Sequence, residues 1–161
     1  MKKVVLAYSG GLDTSFCVKY LTKELGYEVY TALANTGGFS AEELKAVEER
    51  AYQLGAKQHV NLDVTGDYYS KCIKYMVMGN VLRNKTYPIS VSSERTFQAL
   101  AIVAYANSIG ADAIAHGSTG AGNDQVRFDL TFEVFAPQVE IITPTRDMKL
   151  TREYEINYLK E

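Results

Sequence analysis

The stretch Ala7-Tyr8-Ser9-Gly10-Gly11-Leu12-Asp13-Thr14-Ser15 decides how the chain is read. An apolar run, Val4 to Leu6, leads into it, and residues with helical spacing follow at once. A strand therefore delivers the backbone into two glycines, and a helix opens directly behind them. Such a turn leaves unpaired N–H groups at the positive end of the helix dipole, which makes a seat for an anion. Gly10 and Gly11 can adopt positive φ and place no Cβ between backbone and ligand. Ser9, Thr14 and Ser15 add hydroxyls to the same rim. A plain tight β–α turn also favours Gly and Ser, but the hydroxyls and Asp13 argue for more than a turn. Neither the dinucleotide pattern G-x-G-x-x-G nor the phosphate loop G-x-x-x-x-G-K-[ST] fits.

Composition bounds the rest. The chain has 161 residues, 47% hydrophobic and 22% charged, the size and balance of one globular domain. No apolar run approaches the roughly 20 residues that span a bilayer, so no membrane partner is expected. A net charge of −2 with scattered basic residues leaves no footprint for nucleic acid. The N-terminus runs from Met1-Lys2-Lys3 into a strand without a leader, which points to a cytoplasmic protein. Cys17 and Cys72 fall on separate predicted helices among apolar neighbours. Without a C-x-x-C they read as buried free thiols, and no metal site is expected.

Taken in order, Lys3–Tyr8 reads as a strand of the kind buried inside a parallel sheet. A helix follows, with Leu12, Phe16, Cys17, Tyr20, Leu21 and Leu25 on one stripe and Gly26 at its end. Glu28–Asn35 is a second strand. Ser40 and Glu43 form a capping-box pair that starts the next helix, which Gly55 closes. Lys57–Val64 reads as a strand and Thr65–Leu82 as a helix. Arg83–Ser90 is a polar loop punctuated by Pro88. Ser92–Ile109 is a helix apolar around nearly its whole girth, hence buried on more than one side. Asp112–His116 is a strand, Asn123 caps a helix to about Phe135, Val139–Thr143 is a strand, and Thr151–Lys160 is a last helix. This alternation predicts an α/β fold, a doubly wound parallel sheet of about five strands in the order 3-2-1-4-5. That order brings the loops after the first and fourth strands together, where such sheets bind ligands. Both loops are glycine-rich.

The second loop, His116-Gly117-Ser118-Thr119-Gly120-Ala121-Gly122-Asn123-Asp124-Gln125-Val126-Arg127-Phe128, carries more than a helix cap needs. Asn123 and Asp124 suit an N-terminus. Arg127, four residues on from Asn123 and so on the same helix face, does not follow from capping. Nor do three glycines with hydroxyls between them.

The first loop resembles the pyrophosphate loop of the ATP pyrophosphatase superfamily, whose fold is that of the adenine nucleotide alpha hydrolases. Both loops together resemble argininosuccinate synthase along essentially the whole chain, including Leu33-Ala34-Asn35 and the Tyr87 loop. The resemblance implies a ligase of arginine biosynthesis that condenses citrulline with aspartate, using ATP and Mg²⁺, to give argininosuccinate, AMP and pyrophosphate. It implies that Ala7, Tyr8, Ser9, Gly10, Gly11, Leu12, Asp13, Thr14 and Ser15 cradle ATP, with Ala34 at the adenosine and Gly117 completing the nucleotide site. Thr119, Asn123 and Asp124 would bind aspartate, with Asp124 and Arg127 the chemically active pair. Tyr87, Ser92, Asn123 and Arg127 would reach citrulline.

Residues 1–161 would then be the ATP-binding domain of a longer homotetrameric enzyme, without the second domain that completes the citrulline pocket. Many members of the family carry a lysine where this chain has Ala121, and a hydroxyl where it has Val91. A stand-alone ATP-binding module is the alternative. So is a tRNA thiolase of the same superfamily, which would want reactive cysteines and a basic face.

Overall fold

The computed structural model describes residues 1–160. Its main sheet has five parallel strands: β1 (Lys3–Ala7), β2 (Glu28–Asn35), β3 (Gln58–Asp63), β6 (Ala113–His116) and β7 (Glu140–Ile142). They lie in the order β3-β2-β1-β6-β7, all pairs parallel. Counted along this sheet alone, that is the expected order 3-2-1-4-5. The numbering shifts because Leu82–Arg83 (β4) and Tyr87–Pro88 (β5) pair as a separate antiparallel hairpin.

Helices cover both faces. On one side Val4 and Leu6 pack with Phe16, Val18 and Leu21 of α1 (Leu12–Lys23) and with Val47 and Ala51 of α2 (Ala41–Gln53). On the other, Val5 and Ile114 pack with Ile102 and Val103 of α5 (Ser90–Ile109) and Phe132 of α6 (Asp124–Phe135). Val4, Val5 and Leu6 have no exposed surface, as a central strand covered on both faces requires. The capping box is present: the Glu43 N–H donates to Ser40 Oγ at 3.2 Å, and the Ser40 N–H donates to Glu43 Oε2 at 2.8 Å. No helix among the described residues is long and apolar enough to cross a membrane.

Four local expectations need correction. The expected helix over 65–82 is broken into α3 (Thr65–Tyr68), a π-helical turn (Tyr69–Ile73) and α4 (Lys74–Met78). It stops early because Asn80 takes φ +45°, a left-handed conformation that no helix continues. The polar loop after it is the β4–β5 hairpin, which turns on Asn84 and Lys85, both with positive φ as a tight hairpin demands. Asn123 flanks α6 in helical φ/ψ and its side chain makes no cap bond. A short helix, α7 (Pro144–Asp147), precedes α8 (Arg152–Lys160).

The thiols differ. Cys17 is fully buried, and burial first of all pushes its thiol up to about 12. Cys72 is only half-buried, with Sγ 3.4 Å from Met76 Sδ. Iodoacetamide at about pH 8 is therefore expected to label Cys72 in the folded chain and Cys17 only after denaturation. Equal labelling rates by mass spectrometry would contradict this packing.

Candidate functional site

β1 is where the sheet reverses its winding, with β2 on one side and β6 on the other, and Ala7 stands opposite His116 across the β1–β6 pair. The two glycine loops therefore leave the sheet side by side. Gly117 records how closely they meet. A Cβ there would lie 3.1 Å from Thr14 Cγ2, 3.2 Å from the Asp13 carbonyl carbon and 3.2 Å from the Thr14 nitrogen. A side chain here would push the second loop and the first turn of α1 apart by a few tenths of an ångström.

The first loop is held from several directions. Gly10 has φ +75°, while Gly11, the residue flanking α1, sits in extended backbone at φ −76°. The sequence offered both glycines for positive φ, and only Gly10 uses it. Arg50 of α2 donates from Nη1 to the Gly10 carbonyl at 2.6 Å. The Gly11 N–H donates to Ser9 Oγ at 3.4 Å, Thr14 Oγ1 donates to the Gly11 carbonyl at 3.2 Å, and the two hydroxyls are 3.3 Å apart. No side chain caps α1, so its N-terminal turn remains available to a ligand anion.

A cleft of about 570 Å³ opens over this junction, within the range of small-molecule sites. It is bordered by Ala7, Tyr8, Ser9, Gly11, Leu12, Asp13 and Thr14 from the first loop, and by Ala34, Gly117 and Thr119. Gly10 and Ser15 lie behind it, both buried. Its deeper wall adds Leu33, Ile102 and Phe128, an apolar end with Glu94 and Gln98 at its edge. Thr36 Oγ1 donates to Glu94 Oε1 there at 2.5 Å.

A second cavity of about 320 Å³ adjoins the first. Tyr87, Ser92, Asn123, Asp124 and Arg127 all line it, together with Arg83 of the hairpin. The Val91 side chain is not among the described ones. Gly122 and Asp124 border both cavities. Asp124 accepts from Arg127 Nη1 at 2.8 Å and from Arg95 Nε at 3.2 Å, so one carboxylate joins two guanidiniums across the boundary.

His116 anchors the second loop. Its Nδ1 accepts the Ser118 N–H at 3.2 Å and its Nε2 lies 2.7 Å from Asp129 Oδ1. The first contact makes Nδ1 the acceptor, so Nε2 carries the proton and donates to Asp129. Burial pulls the His116 pKa down in spite of that carboxylate. Burial raises the Asp129 carboxyl, but hydrogen bonds from Arg146 and His116 outweigh it and hold it below its usual value. Arg146 also reaches Gln125 Oε1 at 3.2 Å, and Gln125 Nε2 donates to the Gly120 carbonyl at 2.8 Å.

Sequence reasoning missed Arg50 and Arg95. Arg50 left no local signal. Arg95 belongs to the polar first turns of a helix that is otherwise apolar all round.

Comparison with known proteins identifies the family of the chain. Residues 3–161 match the family described as "Arginosuccinate synthase N-terminal HUP domain". The chain is similar to the argininosuccinate synthase of Pyrobaculum aerophilum, 43% identical over 98% of this chain and 39% of that protein. The Methanocaldococcus jannaschii synthase is 43% identical over 98% of this chain and 39% of its own length. That of Saccharolobus solfataricus is 42% identical over 99% and 40%. The chain thus spans about two fifths of the length of the curated relatives it matches. Among solved structures, one described as a predicted subunit of a tRNA methyltransferase from Methanocaldococcus jannaschii covers all of this chain and 75% of its own, with TM-score 0.61. At 18% identity it supports the fold alone. A profile match from residue 3 to residue 161, with relatives alike over nearly the whole chain, means that this protein belongs to the argininosuccinate synthase N-terminal HUP domain family.

Proposed function

We propose that this chain is the ATP-binding part of an argininosuccinate synthase, with ATP in the larger cleft and the amino-acid substrates at and beyond its boundary. One observation carries the reading: the nucleotide-sized cleft and the smaller polar cavity share Gly122 and Asp124. A reaction that joins an amino acid to the α-phosphorus of ATP needs such an opening between its two sites. Oriented binding of both reactants then supplies much of the rate.

The first loop and the N-terminal turn of α1 would hold the triphosphate through backbone N–H groups and the Ser9 and Thr14 hydroxyls. Ala34 and the apolar end would hold the adenosine. Tyr87, Ser92, Asn123 and Arg127 would hold citrulline so that its ureido oxygen attacks the α-phosphorus and pyrophosphate leaves. Thr119, Asn123 and Asp124 would then hold aspartate, whose amine displaces AMP from the activated ureido carbon. Asp124 would orient that amine and accept its proton. Among the described residues no three His, Cys, Asp or Glu side chains cluster to hold a metal ion. Mg²⁺ would arrive on the phosphates, as part of the substrate MgATP, and neutralise their charge.

Isothermal calorimetry on these 161 residues is expected to show MgATP binding with Kd between about 1 μM and 1 mM, the ordinary range for an enzyme's substrate. No pyrophosphate is expected to be released when citrulline and aspartate are added, because the chain spans only about two fifths of the length of the synthases it resembles. Absence of ATP binding in a folded sample would refute the nucleotide seat. Full turnover would refute the dependence on a further domain.

A further inference from the structure

A polar trio on the wall of the larger cleft has no part in the reaction described above. Glu94 and Gln98 of α5 share a helix face with Ile102, each about one turn, or roughly 6 Å, beyond the last. All three border the cleft, and so does Thr36, the residue directly after β2. Thr36 Oγ1 donates to Glu94 Oε1 at 2.5 Å, and Gln98 Nε2 donates to the same oxygen at 3.4 Å. Gln98 Oε1 accepts from Arg95 Nη1 at 3.0 Å. The carboxylate is thus held from the sheet and from its own helix.

Its second oxygen is not used. Glu94 Oε2 accepts no hydrogen bond among the described residues, and Arg95 Nη1 stands 3.6 Å from it, an ion-pair distance beyond hydrogen-bond reach. Thr36 gives its one hydroxyl proton to Glu94 and keeps only lone pairs. Glu94 and Thr36 therefore offer the cleft acceptors alone. Acceptors side by side suit a ligand group that carries donors, and they repel phosphate oxygens.

Position along α5 selects which part of a nucleotide that group is. Ile102 lies at the apolar end, where the base would sit. Arg95 Nε reaches Asp124 at 3.2 Å, at the boundary with the smaller cavity, where the α-phosphorus would sit. The sugar joins base to α-phosphate, so it falls between them, beside Glu94 and Gln98. A ribose brings two adjacent hydroxyl donors to that point. Doubly wound dinucleotide folds also meet ribose hydroxyls with an acidic side chain.

We propose that Glu94 is a specificity-determining residue for the sugar of the nucleotide: its Oε2 accepts a ribose hydroxyl, while Thr36 and Gln98 hold the carboxylate on the cleft wall. This deepens the nucleotide reading above and rests on it. The ligand class is thereby narrowed to ribonucleotides.

Calorimetry on the wild-type chain is the test, with MgATP and the magnesium complexes of 2′-deoxy- and 3′-deoxyadenosine triphosphate. At least one deoxynucleotide is expected to bind about tenfold to a hundredfold more weakly than MgATP, the scale of one hydrogen bond to a charged group. In Glu94→Ala that penalty is expected to vanish, with MgATP falling to the affinity that the wild type has for the deoxynucleotide. Glu94→Gln keeps a neutral acceptor in nearly the same shape, and its penalty is expected to shrink to about threefold. If Glu94→Ala does not fold in a thermal melt, the wild-type comparison and Glu94→Gln still decide.

A wild-type chain that binds all three nucleotides alike would overturn the proposal. So would a deoxynucleotide penalty that survives in full in either variant, because Glu94 would then act on the base or on the shape of the cleft. A folded wild-type chain that binds none of the three would instead overturn the nucleotide reading.

Discussion

Replacing Gly117 with valine is expected to abolish measurable MgATP binding, with Kd raised more than about a hundredfold. The reason lies in the contact between the loops. The first added carbon would already stand 3.1–3.2 Å from Thr14 Cγ2, the Asp13 carbonyl carbon and the Thr14 nitrogen. Two of these three atoms are backbone of the turn that would receive the phosphates, and they cannot rotate away as a side chain end can. Valine adds two further methyls in the same space, so the second loop must lift from α1. Overpacking of this kind costs about 1–3 kcal/mol, which leaves a domain of this size folded. Binding should therefore fall far more than stability. Calorimetry and a thermal melt on the same sample separate the two, and a Kd near the wild-type value would rule out a nucleotide seat made of both loops.

The second large effect separates two adjacent glycines. Gly10→Ala is expected to lower stability by about 2–4 kcal/mol, combining the cost of positive φ with that of overpacking. Its Cβ would meet Val47 Cγ2 at 2.8 Å, and its φ of +75° is one that L side chains rarely adopt. For a chain of this length the melting temperature should drop by about 5–15 °C. Gly11→Ala is the control. Its Cβ would come no nearer than 3.4 Å to Ser9 Oγ, an ordinary contact, and its φ is negative. Differential scanning calorimetry should find the Gly11 variant melting with the wild type, and equal losses from both variants would mean that the loop is seated differently.

That pair also shows what the sequence could and could not disclose. Two glycines after an apolar run announce a turn, a helix start and an anion seat. They do not say which of them bends the chain, because that depends on Val47 and Arg50, which approach from another helix. The parallel sheet and its order were legible because fully apolar strands alternate with striped helices, and both glycine loops had to emerge on one edge. Of the residues carried over for the substrates, Tyr87, Ser92, Asn123, Asp124 and Arg127 line one cavity, while Thr119 lines the other. The hairpin that brings Tyr87 there was not legible, since four strand residues around Asn84 and Lys85 make no periodic pattern. Asn123 was read as a cap from its type alone, and its side chain makes no such bond.

The sheet at the heart of the molecule also bears on how the molecule comes to exist. β1 is flanked on one side by a strand that begins at Glu28 and on the other by one that begins at Ala113. The Lys3 N–H is tied to the Asp112 carboxylate at 2.7 Å, across a sequence separation of 109 residues. Contacts of that span form late, because the chain must give up a large closure entropy before they repay it. The first loop therefore emerges from synthesis long before the floor beneath it, and gains its shape only when the last third of the chain has docked. On the proposed reading, nucleotide binding would report on completed folding.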